Sequence, residues 1–271
     1  MVDKAPMFVW SGGLDSTAAI LLYIEDKLYS STPATELVIN TLYIHVNNNW
    51  QKSCCERQAR FNMRCLIENQ YGRTIKFNDR IITIGALGGD LGELSLQPWM
   101  WAMVAAQQTS RANPPYSEIR YGYILEDQFW HRRHNFEALF YSAYQLTCAN
   151  PNYELPKLVY PLEWFGKKDV VDIYNKRPFY RQLLEHTWTC EEPIIKEEEK
   201  DRLTKLAETS WIPESEAKHF TTCGKCLPCL AHKKWTRYLR LKARKSQLAA
   251  EVPNTDTEIS SAEETEDLKK E

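Results

Sequence analysis

Two clusters in the sequence carry residue types and spacings suited to chemistry. The first is Ser11-Gly12-Gly13-Leu14-Asp15-Ser16-Thr17, which follows the short apolar run 6–10 and opens a helical pattern. Two glycines let a backbone turn tightly and approach a ligand closely. The N–H groups that start a helix, with the positive end of its dipole, form an anion site. Ser11, Ser16 and Thr17 add hydroxyl donors. Asp15 would repel a phosphate directly, and its presence makes sense if Mg²⁺ sits between carboxylate and phosphate. The plainer alternative is a capped helix after a glycine turn; the full string between a strand and a helix argues for the anion site. The second cluster is Cys223-Gly224-Lys225-Cys226-Leu227-Pro228-Cys229, three thiols at two-residue spacing. Such spacing lets thiolates converge on one ion. Cys190, in Thr187-Trp188-Thr189-Cys190, is the best fourth ligand. A four-cysteine Zn²⁺ site is expected, with an iron–sulfur cluster as the competitor, since the same spacing suits both. Cys54, Cys55, Cys65 and Cys148 show no metal spacing and read as core or incidental residues. A reactive thiol at Cys54-Cys55 is the alternative there.

The elements that must position these residues alternate. Strand candidates at 6–10, 41–46, 80–84, 119–125 and 157–160 are interleaved with helical patterns after 14 and near 51–70, 99–110 and 134–147. Leu14, Ala18, Leu21 and Leu22 share a face of the first helix, and Gly72 is placed to cap the second. Strand–helix alternation over 160 residues predicts an α/β fold, a parallel sheet with helices on both faces. This assigns 1–160 to a phosphate-binding α/β domain. From Pro161 strand candidates stop, and helical stretches near 167–175, 178–186, 196–208 and 229–248 predict a helical subdomain over 161–248 that holds the cysteine site. Residues 249–271 read as a disordered acidic tail: 251–271 hold eight Asp or Glu against two Lys, with no aromatic residue. Residues 233–245 hold seven Lys or Arg and no acid, read as a solvated helix face or, alternatively, a phosphate- or partner-contacting helix.

The chain has 271 residues, 43% hydrophobic and 26% charged, which excludes a wholly disordered protein. A net charge of −2 gives no reason to expect nucleic acid as a partner. No apolar run is long enough to span a membrane, and the N-terminus lacks the shape of a signal peptide, so a cytoplasmic protein is expected.

SGGLDST is not the GxxxxGK[ST] loop of kinases and GTPases. It resembles the SGGxDS loop of the PP-loop ATP pyrophosphatases. Together with TWTC…CGKCLPC, and in the same order over residues 7–240, it resembles the 7-cyano-7-deazaguanine synthase (QueC) family. Pro161-Leu162-Glu163-Trp164-Phe165-Gly166-Lys167 looks like that family's PL-x-W-x-x-K segment, and Gly122-Tyr123-Ile124-Leu125-Glu126-Asp127 like its G-x-x-x-x-D stretch. The resemblance implies ATP cleavage to AMP and pyrophosphate with Mg²⁺, with Ser11, Gly12, Gly13, Leu14, Asp15, Ser16 and Thr17 around the pyrophosphate. It implies that Lys167 contacts phosphates and that Asp127 lies in the substrate pocket, at the carboxyl end of a strand. It further implies a structural Zn²⁺, a carboxylated 7-deazaguanine as substrate, ammonia as nucleophile and a nitrile as product. A homodimer is in keeping with the family.

The substrate-facing elements depart from the family pattern. Residues 45–50 read His-Val-Asn-Asn-Asn-Trp, and Gln97-Pro98-Trp99 stands where the family has an Arg-Asn pair. Gln128-Phe129-Trp130-His131-Arg132-Arg133-His134 replaces a Tyr-Pro-Asp-Cys-Arg segment, and His232 replaces an arginine. Two arginines can clamp a carboxylate or phosphate, and a histidine can act as a base; a solvated loop is the alternative reading. Trp130, Trp99 and Trp101 could stack on a heterocycle or belong to the core. Asn47 and Asn48 could bind adenine or ribose, or simply turn the chain. Two other functions share the adenylation: joining a deazaguanine to a protein or other amine, as would suit phage or antiviral-defence proteins, and RNA thiolation. A catalytically silent nucleotide-binding partner is a third.

Overall fold

The apolar run ahead of the glycine pair forms strand β1 (Met7–Val9), and Leu14–Leu28 forms helix α1. The computed structural model describes residues 5–30, 36–46, 49–84, 97–112, 116–148, 154–209 and 212–238. In chain order follow β2 (Leu37–Val46), α2 (Trp50–Tyr71), β3 (Ile75–Ile84), α3 (Gln97–Ser110), β4 (Glu118–Tyr121), α4 (Arg133–Thr147) and β5 (Lys157–Val159). The five strands are all parallel, in the order β3-β2-β1-β4-β5.

Alternation along the strands sends side chains to two faces. Met7, Leu42, Ile44, Ile119 and Tyr121 pack with Ala102, Ala105 and Ala106 of α3 and Phe136 and Phe140 of α4. The alanines let α3 lie close to the sheet. Phe8, Trp10 and Tyr43 point the other way. Phe8 meets Tyr23 of α1 at 5.2 Å between ring centroids, and Arg60 of α2 lies over the Trp10 and Tyr43 rings. Helices therefore cover both faces, as the alternation predicts. The strand order reverses at β1, with β2 on one side and β4 on the other. In parallel sheets such a switch point opens a crevice at the carboxyl ends of the strands.

After β5 come α5 (Lys167–Asn175), α6 (Pro178–His186) and α7 (Lys200–Thr209). The expectation that strands cease after Pro161 is incorrect: Ile194–Ile195 and Phe220–Thr221 form an antiparallel pair, β6 and β7. Two residues per strand carry no readable alternation. Strand β4 is also shorter than the apolar run 119–125. Beyond Tyr121 the backbone donors serve a turn instead of the ladder: Ile124 N–H goes to Asp127 Oδ2 and Leu125 N–H to Phe165 O. Gly72 caps α2 as read, at φ +60°.

The chain divides into two compact units, 1–232 and 233–271. In the second, residues 233–238 are helical, with the Trp235 and Tyr238 rings 6.0 Å apart. Residues 239–248, with the rest of the basic run, and the acidic segment 249–271 lie outside the described residues. Among the described residues no helix is long and apolar enough to cross a membrane.

Helices α1 and α6 are tied by Glu25, whose Oε1 accepts from Arg177 Nε (2.6 Å) and Tyr180 Oη (2.8 Å). Burial alone would raise this carboxyl, but the two hydrogen bonds and the Arg177 charge prevail and hold it below its ordinary value. A carboxyl lowered in the folded state adds stability above its unfolded pKa and loses it as pH falls through the folded one. Glu25→Gln should therefore flatten the acid limb of the melting-temperature profile below about pH 4.5. An unchanged limb would mean Glu25 is not among the groups that set it.

Candidate functional site

The phosphate-loop candidate occupies the turn from β1 into α1. Gly12 adopts φ +80°, a conformation glycine tolerates and other residues avoid. A β-carbon there would also stand 2.8 Å from Arg60 Cγ and 3.0 Å from Glu56 O, so α2 packs directly beneath the turn. Gly13 N–H is within 3.3 Å of Ser11 Oγ, and Ser11 Oγ lies 3.1 Å from Ser16 Oγ. The first intrahelical bond runs from Thr17 N–H to Gly13 O. The amides of Leu14, Asp15 and Ser16 precede it, and this is the donor set that a helix start offers to an anion. The Leu14 side chain is buried, so only its backbone belongs to that set. Thr17 is placed differently from Ser11 and Ser16. It is fully buried, its hydroxyl accepting from Trp10 Nε1 (2.9 Å) and facing Met63 Sδ (3.7 Å).

Lys167, in the first turn of α5, lies 152 residues from Asp15 in sequence yet donates to both its carboxylate oxygens, at 2.7 and 2.8 Å. About a quarter of each side chain remains accessible, 27% and 26%. The Lys167 amide donates to Glu126 Oε2 at 2.8 Å, and the Gly166 amide to Asp169 Oδ2 at 2.9 Å, so the start of α5 is fixed by its backbone. Tyr174 of α5 donates to Leu14 O at 2.7 Å and anchors the helix to α1.

Three carboxylates gather against this one lysine. Desolvation raises Asp15 above its ordinary pKa, Lys167 opposes by charge and hydrogen bonding, and Glu126 adds to the rise. Asp127 is also raised, chiefly by burial, against the Ile124 amide it accepts; Asp15 and Glu126 push it up further. A site in which Asp15 and Asp127 are held above their ordinary affinity for a proton favours an added cation, and hard oxygen donors suit Mg²⁺. Asp127 also has a local task, closing the turn after β4. Glu126 was not singled out by sequence: its contact with Lys167 spans 41 residues and has no signature. His232 lies within the field of Lys167, and burial and that cation together lower its pKa.

Gly122 brings the end of β4 against this loop. A β-carbon there would lie 2.6 Å from Ser16 Cα and 2.8 Å from Ser16 N. Those are backbone atoms at the start of α1 and cannot swing aside. Gly122→Ala should destabilise the protein by about 1–3 kcal/mol. Denaturant unfolding within about 0.5 kcal/mol of wild type would show that the two segments separate freely.

The cysteines converge as read. The sulfurs of Cys190, Cys223, Cys226 and Cys229 all lie within 4.8 Å of one another, and Cys223 and Cys229 are 3.9 Å apart. Tetrahedral Zn–S bonds of about 2.3 Å place sulfurs about 3.8 Å apart, so the thiols fit a single ion. The Cys226 and Lys225 amides point at Cys223 Sγ, at 3.3 and 3.4 Å, and Gly224 at φ +67° permits that turn. Those donors bring the Cys223 thiol down to about 6, while burial pushes Cys229 up to about 12.

Other candidate residues are placed less favourably for chemistry. Cys54 and Cys55 are buried in the first turns of α2, and burial pushes Cys54 up to about 11, the opposite of a reactive thiol. Cys65 and Cys148 are half-buried. Arg133 is engaged by Glu137 and Glu163 and stacked over Tyr160, whereas His131, Arg132 and His134 are exposed. Trp130 donates to Ile124 O and packs on the core, as does Trp101; Trp99 is exposed. Asn47 and Asn48 lie outside the described residues.

The fold and site define a parallel α/β protein with a glycine turn and an acid–lysine pair at the switch point of its sheet. No family model matches the chain, and no curated protein matches it. Among solved structures it is similar to the U34-tRNA thiolase NcsA from Methanococcus maripaludis with its [4Fe-4S] cluster. That match has 13% identity and a TM-score of 0.39, covering 83% of this chain and 76% of that one. Likeness at that level assigns neither substrate nor cofactor.

Proposed function

We propose that the protein is an adenylating enzyme of the PP-loop type, cleaving ATP between the α and β phosphates and passing AMP to an oxygen of its acceptor. The observation that carries this reading is the Lys167–Asp15 contact at the mouth of the glycine turn. It joins the two sequence segments that the resemblance gives to phosphate binding. The amides of Leu14, Asp15 and Ser16, with the Ser11 and Ser16 hydroxyls, would receive the pyrophosphate. Asp15 would hold Mg²⁺, with Glu126 and Asp127 adding negative field. The ion, when bound, supplies charge neutralisation between carboxylate and phosphate. Lys167 is a compact cation that can turn from Asp15 to the departing phosphates. Thr17 serves the core in this account.

The acceptor suggested by the resemblance is a carboxylated 7-deazaguanine, with ammonia displacing AMP and a second adenylation of the amide leading to the nitrile. The thiol separations support a single tetrahedral ion with no open position, hence structural Zn²⁺. A second reading, RNA thiolation, draws on the CxxCxxC spacing and would require a reactive or cluster-bound cysteine. Product mass spectrometry with MgATP, ammonia and 7-carboxy-7-deazaguanine tests both. Nitrile with AMP and pyrophosphate supports the synthase. Amide or adenylate alone directs the search to another amine, such as one on a protein. No AMP, in a brown and oxygen-sensitive preparation, turns the assignment to thiolation.

A further inference from the structure

We propose that Trp188 is a positioning residue that ties the phosphate loop to the four-cysteine site, so that metal loading sets the order of the loop. The inference rests on the nucleotide-binding reading only where it concerns affinity for MgATP. The segment 187–191 runs between the two sites. Trp188 N–H donates to Gly12 O at 3.1 Å, and a β-carbon on Gly13 would lie 3.5 Å from Trp188 O. Trp188 therefore lies along both glycines. Its indole Nε1 donates to Cys190 O at 3.0 Å, locking the ring onto the backbone of the ligand two residues ahead. Cys190 Sγ in turn accepts Cys223 N–H at 3.3 Å. On the far side, Glu191 O accepts from Asn49 Nδ2 at 2.8 Å, and the Glu191 carboxylate pairs with Lys52.

This places one short segment under three constraints: α2 at Glu191, the thiol cluster at Cys190 and the glycine turn at Trp188. Cys190 comes from a stretch of chain separate from 223–229, so an ion shared by the four sulfurs would join the two stretches. Without that ion Cys190 Sγ is joined to the cysteine turn only by hydrogen bonds: from the Cys223 amide, and thiol to thiol with Cys223 and Cys229, contacts far weaker than metal–thiolate bonds. Trp188, bonded to Cys190 O, then loses its fixed anchor. Gly12 O is the acceptor at the residue whose φ of +80° shapes the turn, so a loosened Trp188 loosens the donor array for the anion. Linkage runs both ways: a nucleotide that orders the loop should tighten metal retention by the same factor.

Hydrogen exchange of the full chain, metal-loaded and stripped with a chelator, tests this directly. Stripping is expected to speed exchange across 11–17 and at Trp188 by at least tenfold, leaving α3 and α4 unchanged. MgATP affinity should fall roughly five- to tenfold, the worth of one hydrogen bond. Trp188→Pro removes the N–H. It should weaken MgATP binding to the loaded protein by that factor and make stripping inconsequential for affinity. Trp188→Phe keeps the N–H but loses the indole bond, and should fall between. Unchanged exchange across 11–17 on stripping would overturn the proposal, and so would a uniform rise throughout the chain. A protein that binds no MgATP yet shows metal-dependent protection confined to 11–17 and Trp188 would retire the nucleotide reading and leave the tie standing.

Discussion

Lys167→Met should lower pyrophosphate release by about 10²–10³-fold, the usual cost of removing one fixed group that stabilises charge in the transition state. The fold should survive the change. The amides of Gly166 and Lys167 are held by Asp169 and Glu126 without help from the lysine side chain, and Tyr174 pins α5 to Leu14 O. The ion pair itself is partly solvated, and such pairs add little net stability. What changes is the charge at Asp15. Lys167 is the group that opposes the desolvation of this carboxyl. Without it Asp15 rises further and binds a proton more readily. A protonated Asp15 is a poor ligand for Mg²⁺, so the variant should lose activity twice over, through the missing cation and the altered carboxyl. Asp15→Asn should be similarly impaired, and the double variant should be little worse than either single, because each removes half of one unit. Pyrophosphate release and melting temperature should be read together. Turnover within tenfold of wild type, or a collapse of the fold, would each remove Lys167 from the phosphate-handling role.

The sequence made legible the features whose cause is local. Strand, glycine turn and helix start adjoin in SGGLDST, and cysteines two residues apart can meet within one turn. Short apolar runs such as 6–10 and 41–46 alternate with helical patterns, and the parallel sheet follows. The misplaced features have distant causes. Thr17 has the right chemistry for phosphate, but at the fourth position of α1 it faces Trp10 and Met63, inward from the loop. Arg133 has the right chemistry for a clamp, but Glu137 and Glu163 occupy it. Glu126 and Trp188 act through backbone amides: the Glu126 carboxylate accepts the Lys167 amide from 41 residues away, and the Trp188 amide donates across the fold to Gly12. A backbone donor leaves no trace in residue type. The end of β4 was misread because the apolar run continues past Tyr121 while the hydrogen bonding does not. What stops the strand is a turn closed by Asp127, and that turn carries Glu126 to Lys167.

Cys190→Ser should destabilise the protein more than the same change at Cys226, by about 4 kcal/mol or more, in the range associated with loss of a structural metal. The reason lies in where each ligand comes from. Cys223, Cys226 and Cys229 belong to one turn and its following helix, and an ion held by them closes only local loops. Cys190 is buried, and through it the ion would bridge two separate segments of the chain. Serine at 190 offers a hydroxyl in place of a thiolate, a poor ligand for a borderline-soft ion, and leaves a buried polar atom facing three sulfurs. At Cys226, half-buried beside exposed neighbours, three thiols and solvent can still satisfy the ion. The pH dependence has a fixed sign. Each bound thiolate must shed its proton, so protons compete with the ion and affinity falls as pH falls. Cys223, brought down to about 6 by the amides that point at it, sheds its proton more readily than buried Cys229, pushed up to about 12. Metal content, melting temperature and the optical spectrum of wild type and both variants should be measured as pH is lowered. A colourless wild type that retains one ion, and a Cys190 variant that loses both ion and stability, would support a closed structural site. Equal losses at 190 and 226 would show that the cross-segment bridge adds nothing. A brown chromophore lost along with stability would keep the bridge but replace the single ion with a cluster.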